Sequence, residues 1–469
     1  MDLDRPRRRR RDNEDTVTEF VEKKDFIFEN ADKYYKTVNI YKFSKEFLND
    51  QYVPFLEAYI KAYGKNKYYE LVLKAIAHLK NAGLKAFKLE NVNWYEVDNA
   101  QDLDIANTMF AKDEDMLHAY EMHYGGYWRF DDIKDFCYLV NPYFPPKKMK
   151  DQMKYFFDTL LSQYPSGMNI QKINAGRMFG IDEDEVLIGN GAAELINALG
   201  SILKGRLVLP IPAFNEYIRC FKNCEIKPIY TSETDFCLKK EIILKEIEEA
   251  NILALINPDN PSGSFLKFDD IIEIINKCQR LNVTCIIDES FIDFAQKDIR
   301  YTLVSSEIMQ KYKNLIVIKS ISKSYGVPGI RLGIAASGNA QILNAMKEKM
   351  SIWNINSYGE YFLQIFTLFA DQYKSSCDKI AEQRKLMQDR LSKISYIKVY
   401  DSQANYIMCK ITGKYGSKEL ANKLIKNYNI LIKDLSDKYG FNGSQFIRLA
   451  VRDFEDNDLL CKALEEFDK

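Results

Sequence analysis

Short apolar runs recur along the chain from His123 onward: EVLIGN (185–190), RLVLPIP (206–212), ILALINP (252–258), TCIIDESF (284–291) and NLIVIKS (314–320). Each is followed by a stretch of helical periodicity. Runs this continuous, alternating with helices, predict strands buried on both faces of a mainly parallel sheet. After residue 355 the pattern changes to a long helix, then KVYDSQANYIMCKI (398–411), another helix and a final strand FIRLAVR (446–452). This predicts a large α/β domain over 123–355 and a smaller α+β lobe over 356–469. Upstream, 30–110 reads as a separate α/β segment. TVNIYKFS (37–44) is strand-like, 46–64 and 68–83 are helical, 85–98 suggests paired strands, and 100–111 is a capped helix. Residues 111–122 read as a charged linker.

Composition adds mostly exclusions. With 469 residues and 46% hydrophobic content, there is material for more than one core. Sixty-six basic against 67 acidic residues leave a net charge of −1, so no overall field draws in nucleic acid. Nine scattered cysteines without a C-x-x-C pair, and no apparent signal peptide, point to reduced thiols in the cytoplasm. Three histidines without ligand spacing make a zinc site unexpected. No apolar run approaches the roughly 18 residues of a membrane span. Residues 1–29, with Arg5 and Arg7 to Arg11 followed by Asp12, Glu14 and Asp15, read as a solvated, disordered tail.

The chemistry lies where the apolar runs end, which is where ligands of parallel sheets bind. GNGAAELINAL places a glycine turn before a helix, so free backbone N–H groups there can face an anion. PAFNEY offers Phe214 as an aromatic face, and Tyr217 reads equally as core or site. NPDNPSG presents Asn260, and IIDESF ends an apolar strand with Asp288, an acid costly to bury without a cation. Then come Ser320, Ser322, Lys323 and Arg331. Taken singly, each has an ordinary explanation as a turn, a helix cap or a surface ion pair. In series they are the parts of a pyridoxal-phosphate site: a lysine for the Schiff base, an aspartate for the pyridinium nitrogen, an aromatic ring to stack and an asparagine for the phenolic oxygen. The helix N-terminus, the hydroxyls and the arginine would hold the phosphate.

From His123 to the end the chain resembles the class I/II aminotransferase superfamily, the fold-type I pyridoxal-phosphate enzymes. The resemblance implies Lys323 as the cofactor lysine, Asp288 as pyridinium partner and Asn260 at the phenolic oxygen. It also implies Phe214 stacking and Ala192, Ala193, Ser320, Ser322 and Arg331 around the phosphate. HYGG, GNGAAELI, PAFNEY, DESFIDF, MSIWNINSYGE and IRLAVR are similar to threonine-phosphate decarboxylases. The related histidinol-phosphate aminotransferases normally carry Tyr where this chain has Phe291, a cofactor-side position. By resemblance Arg448 is the substrate-anion arginine. Arg452 shares its face if the strand extends that far, and Asn141 and Tyr164 match positions beside substrate or cofactor. A homodimer is implied.

The expected activity is decarboxylation of a small phosphorylated or phosphonylated amino acid through Lys323. The alternative is transamination, decided by which bond to the α-carbon stands perpendicular to the cofactor ring. Residues 30–110 resemble the carboxy-terminal half of a choline-phosphate or sugar nucleotidyltransferase, in which Asp98 would bind magnesium. The glycine-rich nucleotide loop and the first metal aspartate are missing, so a partial domain without nucleotidyl transfer is expected. A nucleotidyltransferase and an inactive scaffold are the remaining readings.

Overall fold

The computed structural model describes residues 8–11, 15–22, 25–79, 83–89, 92–130 and 132–468. The chain divides into two compact units, Met1–Asp132 and Ile133–Lys469, so the break falls after Asp132 rather than at 123.

In the first unit, part of the stretch expected as a disordered tail is built into a sheet. β1 (Arg8–Arg11) pairs antiparallel with β2 (Val17–Val21) and with β3 (Tyr35–Lys36). Arg5, Arg7, Asp12 and Glu14 lie outside the described residues. Val17 and Val21 are buried, which gives β2 an inward face that a solvated tail would lack. The strand expected at 37–44 is shifted to β3. The strands expected over 85–98 are reduced to one isolated bridge between Lys85 and Thr16 among the described residues. That segment has no continuous buried face to fix a register, and Phe87 is 88% exposed.

The helices are closer to expectation. α1 (Val53–Tyr63) follows a π-helical turn at Leu48–Tyr52, and α2 (Glu70–Ala77) buries Val72 and Ile76 against Phe47, Tyr52 and Leu56. α3 (Ala100–Met109) begins at a capping box, in which Asn99 accepts from the Asp102 N–H and Asp102 accepts from the Asn99 N–H. The expected linker contains α4 (Met116–Glu121).

The second unit is built on a seven-stranded sheet. Its strands are β4 (Val186–Gly189), β5 (Gly205–Ile211), β6 (Cys224–Tyr230), β7 (Ile252–Ile256), β8 (Thr284–Asp288), β9 (Leu315–Ser320) and β10 (Gly333–Ala336). Their spatial order is β4-β10-β9-β8-β7-β5-β6, and only β10 runs antiparallel to its neighbours. Every residue of β7 and β9 is buried, which explains why these segments show no polar alternation. Helices cover the faces. α5 (Ala192–Ile202) and α6 (Asn215–Cys220) follow β4 and β5, and α7 (Phe268–Arg280) buries Ile271, Ile274, Ile275 and Cys278 along one stripe.

The long helix α8 (Ala370–Leu391) leads into an antiparallel lobe of β11 (Ile397–Val399), β12 (Tyr406–Ile411), β13 (Lys433–Asp434) and β14 (Phe446–Ala450), in the order β11-β12-β14-β13. The expected final strand stops at Ala450. Asp453 caps the next helix, α9 (Phe454–Glu466), so the chain turns before Arg452 can continue the β14 face. None of the nine cysteines is in a disulfide. Among the described residues no helix is long and apolar enough to cross a membrane.

Candidate active site

The C-terminal ends of β5, β7, β8 and β9 share one edge of the large sheet, and the sequence puts a polar or aromatic group just past each. Beyond β9 a single helical turn, Ile321–Ser324, carries Lys323. Its Nζ lies 5.0 Å from the centroid of the Phe214 ring and 4.7 Å from that of Phe291. Burial lowers its pKa from 10.5 to about 8; Asp288 opposes this shift and Arg448 and Arg331 add to it. An amine tuned this way is neutral often enough near pH 8 to act as a nucleophile or base.

Asp288 closes β8, only 4% exposed. Oδ1 accepts from the Ser290 N–H at 2.9 Å, and Oδ2 accepts from the Tyr217 hydroxyl at 3.1 Å. Burial raises the Asp288 pKa, and Ser290, Lys323 and Tyr217 hold it back. Tyr217, fully buried on α6, is thereby placed in direct contact with Asp288. The sequence alone could not show this, because its partner lies in another strand.

Asn260 occupies the turn after β7 and is buried. Its Oδ1 accepts from Arg448 Nη1 at 2.8 Å, so the remaining side-chain donor is the Nδ2 amide. Arg448, on β14, also donates from Nη2 to the Cys137 carbonyl at 2.8 Å, while its buried Nε has no partner. Among the described residues it forms no ion pair, so its charge is open to an anion.

The phosphate side is built by close backbone approach. α5 starts after Gly191 (φ 77°, ψ 166°) with no side chain capping its N–H groups at Ala192 and Ala193. A Cβ on Gly191 would stand 2.6 Å from Arg331 Nη2, and one on Gly333 would stand 2.6 Å from the Ala192 nitrogen. Arg331 itself holds a left-handed φ of 57°. Its guanidinium thus lies over the helix start, so charge and helix dipole converge. Ser320 is buried, with its N–H bonded to Ser290 Oγ at 3.0 Å. Ser322 differs from expectation: its hydroxyl bonds the backbone of Leu332 in both directions and braces the Arg331 loop.

Of the other expected residues, Asn141 and Arg452 have partners within the chain and Tyr164 lies at the surface. Asn141 donates to the Ser324 carbonyl and Ser376 Oγ and accepts from the Tyr143 N–H. Its own N–H donates to the Lys323 carbonyl at 3.0 Å, so it positions the lysine turn. Arg452 donates from Nε to Asp456 at 2.7 Å and from Nη1 to the Asp135 carbonyl, which commits its guanidinium to the lobe. Tyr164 is 77% exposed and stacks on Trp353 with ring centroids 4.5 Å apart. In the first unit, the Asp98 N–H donates to Asp102 at 3.1 Å ahead of α3. Among the described residues no three His, Cys, Asp or Glu gather as a metal site.

Residues 172–464 match the model of the aminotransferase class I and II family. The chain belongs to that family. It is 31% identical over 388 residues to an L-serine phosphate decarboxylase of Sulfurospirillum multivorans, covering 77% of this chain and 97% of that protein. It is 28% identical over 436 residues to a CMP-5'-(3-aminopropyl)phosphonate synthase of Streptomyces rubellomurinus, covering 92% of this chain and 68% of that protein. The solved structure of a decarboxylase from Sulfurospirillum multivorans superposes with a TM-score of 0.68 at 28% identity, covering 79% of this chain and 99% of that one.

The family's cofactor is pyridoxal 5'-phosphate, and the residues present fit it. Asp288 is a buried carboxylate whose hydrogen-bond donors Tyr217 and Ser290 are neutral, and a pyridinium would supply its cationic partner. Phe214 and Phe291 flank Lys323, and the Gly191–Arg331 cradle suits a phosphate.

Proposed function

We propose that the chain is a decarboxylase of a small phosphorylated amino acid of the O-phosphoserine or O-phosphothreonine type, or a phosphonate analogue. The observation that carries the reading is Arg448, a part-buried guanidinium without a counterion beside Asn260 at the mouth of the Lys323 site. The choice of carbon dioxide loss rests on the L-serine phosphate decarboxylase relative, aligned over 97% of its length.

Bound at Lys323, pyridoxal phosphate supplies an electron sink for the pair left when a bond to the substrate α-carbon breaks. Arg448 grips one substrate anion and, with Asn260, sets the rotation about the α-carbon that selects which bond breaks. Lys323 Nζ, with its pKa lowered to about 8, carries a readily transferred proton as the ammonium and delivers it to that carbon in place of the carboxylate. Asp288 keeps its charge through Tyr217 and Ser290, and Phe214 and Phe291 keep water from the amine.

We assign the active form as a homodimer in the cytoplasm. Tyr164, Leu161, Tyr155 and Ile352 are all at least 67% exposed, an apolar surface that a second copy would cover. Residues 30–110 we read as a partial nucleotidyltransferase-like segment without its own transfer activity. The Streptomyces rubellomurinus relative supports this by matching 92% of the chain, well beyond the family match at 172–464.

The test is to incubate holoenzyme with O-phospho-L-serine alone and quantify products. Stoichiometric carbon dioxide and phosphoethanolamine support decarboxylation. Loss of the amino group to the enzyme, reversed by adding a keto acid, would mean an aminotransferase.

A further inference from the structure

We infer that Lys438 binds the substrate's phosphate and sets specificity for a phosphorylated over a plain amino acid. The inference rests on the proposed function and adds a residue that the motif reading did not contain.

Lys438 lies in the turn between β13 and β14, part-buried, and donates from Nζ to Asn215 Oδ1 at 2.6 Å. Asn215 follows Phe214, whose ring faces Lys323. The turn is seated on the same strand end. Its N–H at Lys438 bonds the Leu435 carbonyl, and a Cβ on Gly440 (φ 100°) would stand 2.7 Å from Ile211 and 3.0 Å from the Pro212 nitrogen. The ammonium is therefore held at the end of β5.

The charge balance points to a missing anion. Among the described residues neither Lys438 nor Arg448 is in an ion pair. Burial and the positive charges of Arg448 and Lys433 push the Lys438 pKa down to about 8, with Asp259 in partial opposition. Asp259 offsets this only in part: it is buried, accepts from the Ser262 N–H and hydroxyl, and forms no direct ion pair with either cation. Two neighbouring buried cations, neither joined directly to a carboxylate, cost stability unless a ligand joins them. A phospho-amino acid carries two anionic ends. The planar fork of Arg448 matches a carboxylate, and the compact ammonium of Lys438 suits a phosphate as a point charge.

The test compares holoenzyme with wild-type Lys438 against Lys438→Met and Lys438→Arg. Each is titrated with O-phospho-L-serine and with L-serine, following the cofactor's visible absorbance. In the wild type, O-phospho-L-serine is expected to bind at least about tenfold tighter than L-serine. Losing a charge-assisted contact should shrink that ratio about 10- to 100-fold in Lys438→Met, and Lys438→Arg should restore most of it. An unchanged cofactor band in each variant verifies the fold. If Lys438→Met keeps the wild-type ratio, the assignment of Lys438 is overturned while the phospho-amino-acid reading stands. If the wild type does not discriminate, both are overturned.

Discussion

Arg448 donates to Asn260 Oδ1 at 2.8 Å, and this one bond orients both the guanidinium proposed to bind the substrate anion and the Asn260 amide. Replacing Arg448 with Met removes the anion partner and the bond that orients Asn260 while leaving Lys323 intact. The expected result is a rise in KM for O-phospho-L-serine of about 10- to 100-fold, the range for a charge-assisted hydrogen bond. The cofactor's absorbance should be preserved. A simultaneous loss of cofactor would contradict a substrate role.

Tyr217 stabilises the charged form of Asp288, so its loss has a defined sign. Tyr217→Phe removes a bond that lowers the Asp288 pKa. That pKa must then rise, and the acid limb of the kcat/KM profile should move to higher pH. Activity at the optimum should fall by about fivefold, on the order of 1 kcal/mol. Asp288→Asn removes the charge itself, with an expected loss of about two to three orders of magnitude. The pH profile of Tyr217→Phe is the discriminating measurement.

Lys323 can capture an aldehyde only as a neutral amine. With its pKa lowered from 10.5 to about 8, the rate of cofactor capture by apoprotein should rise with pH up to about 8 and level off above it. Stopped-flow absorbance after mixing with pyridoxal phosphate reads this directly. A rise that continues to pH 10 would assign Lys323 an ordinary amine.

Gly191 is required by conformation as well as by space. Its φ of 77° and ψ of 166° lie in a region open almost only to glycine, at a cost of about 1–3 kcal/mol for other residues. Gly191→Ala also drives a Cβ to 2.6 Å from Arg331 Nη2. Cofactor affinity should weaken about 5- to 150-fold on reconstitution, equivalent to about 1–3 kcal/mol.

The placement of Lys323, Asp288 and Asn260 beyond the strand ends was legible in the sequence because each comes shortly after an apolar run, and parallel strands deliver their ends to one edge. What stayed hidden depends on distant partners. Asn141 matched a substrate position, yet its amide is spent on Ser324 and Ser376, 183 and 235 residues away. Arg452 depended on where β14 ends, which the Asp453 cap of α9 decides. Tyr217 needed the position of Asp288, 71 residues on, to count as site rather than core. In the first unit, helices with local caps were readable. The strands were not, since sheet register depends on a buried face that residues 85–98 do not form.

The central claim is that Lys323 is the cofactor-bearing amine of this site. The most direct measurement is borohydride reduction of the holoenzyme followed by peptide mapping by mass spectrometry. The expected result is a single phosphopyridoxyl group on Lys323, absent from Lys323→Ala. A phosphopyridoxyl group on another lysine, or none on Lys323 in protein saturated with pyridoxal phosphate, would contradict the account.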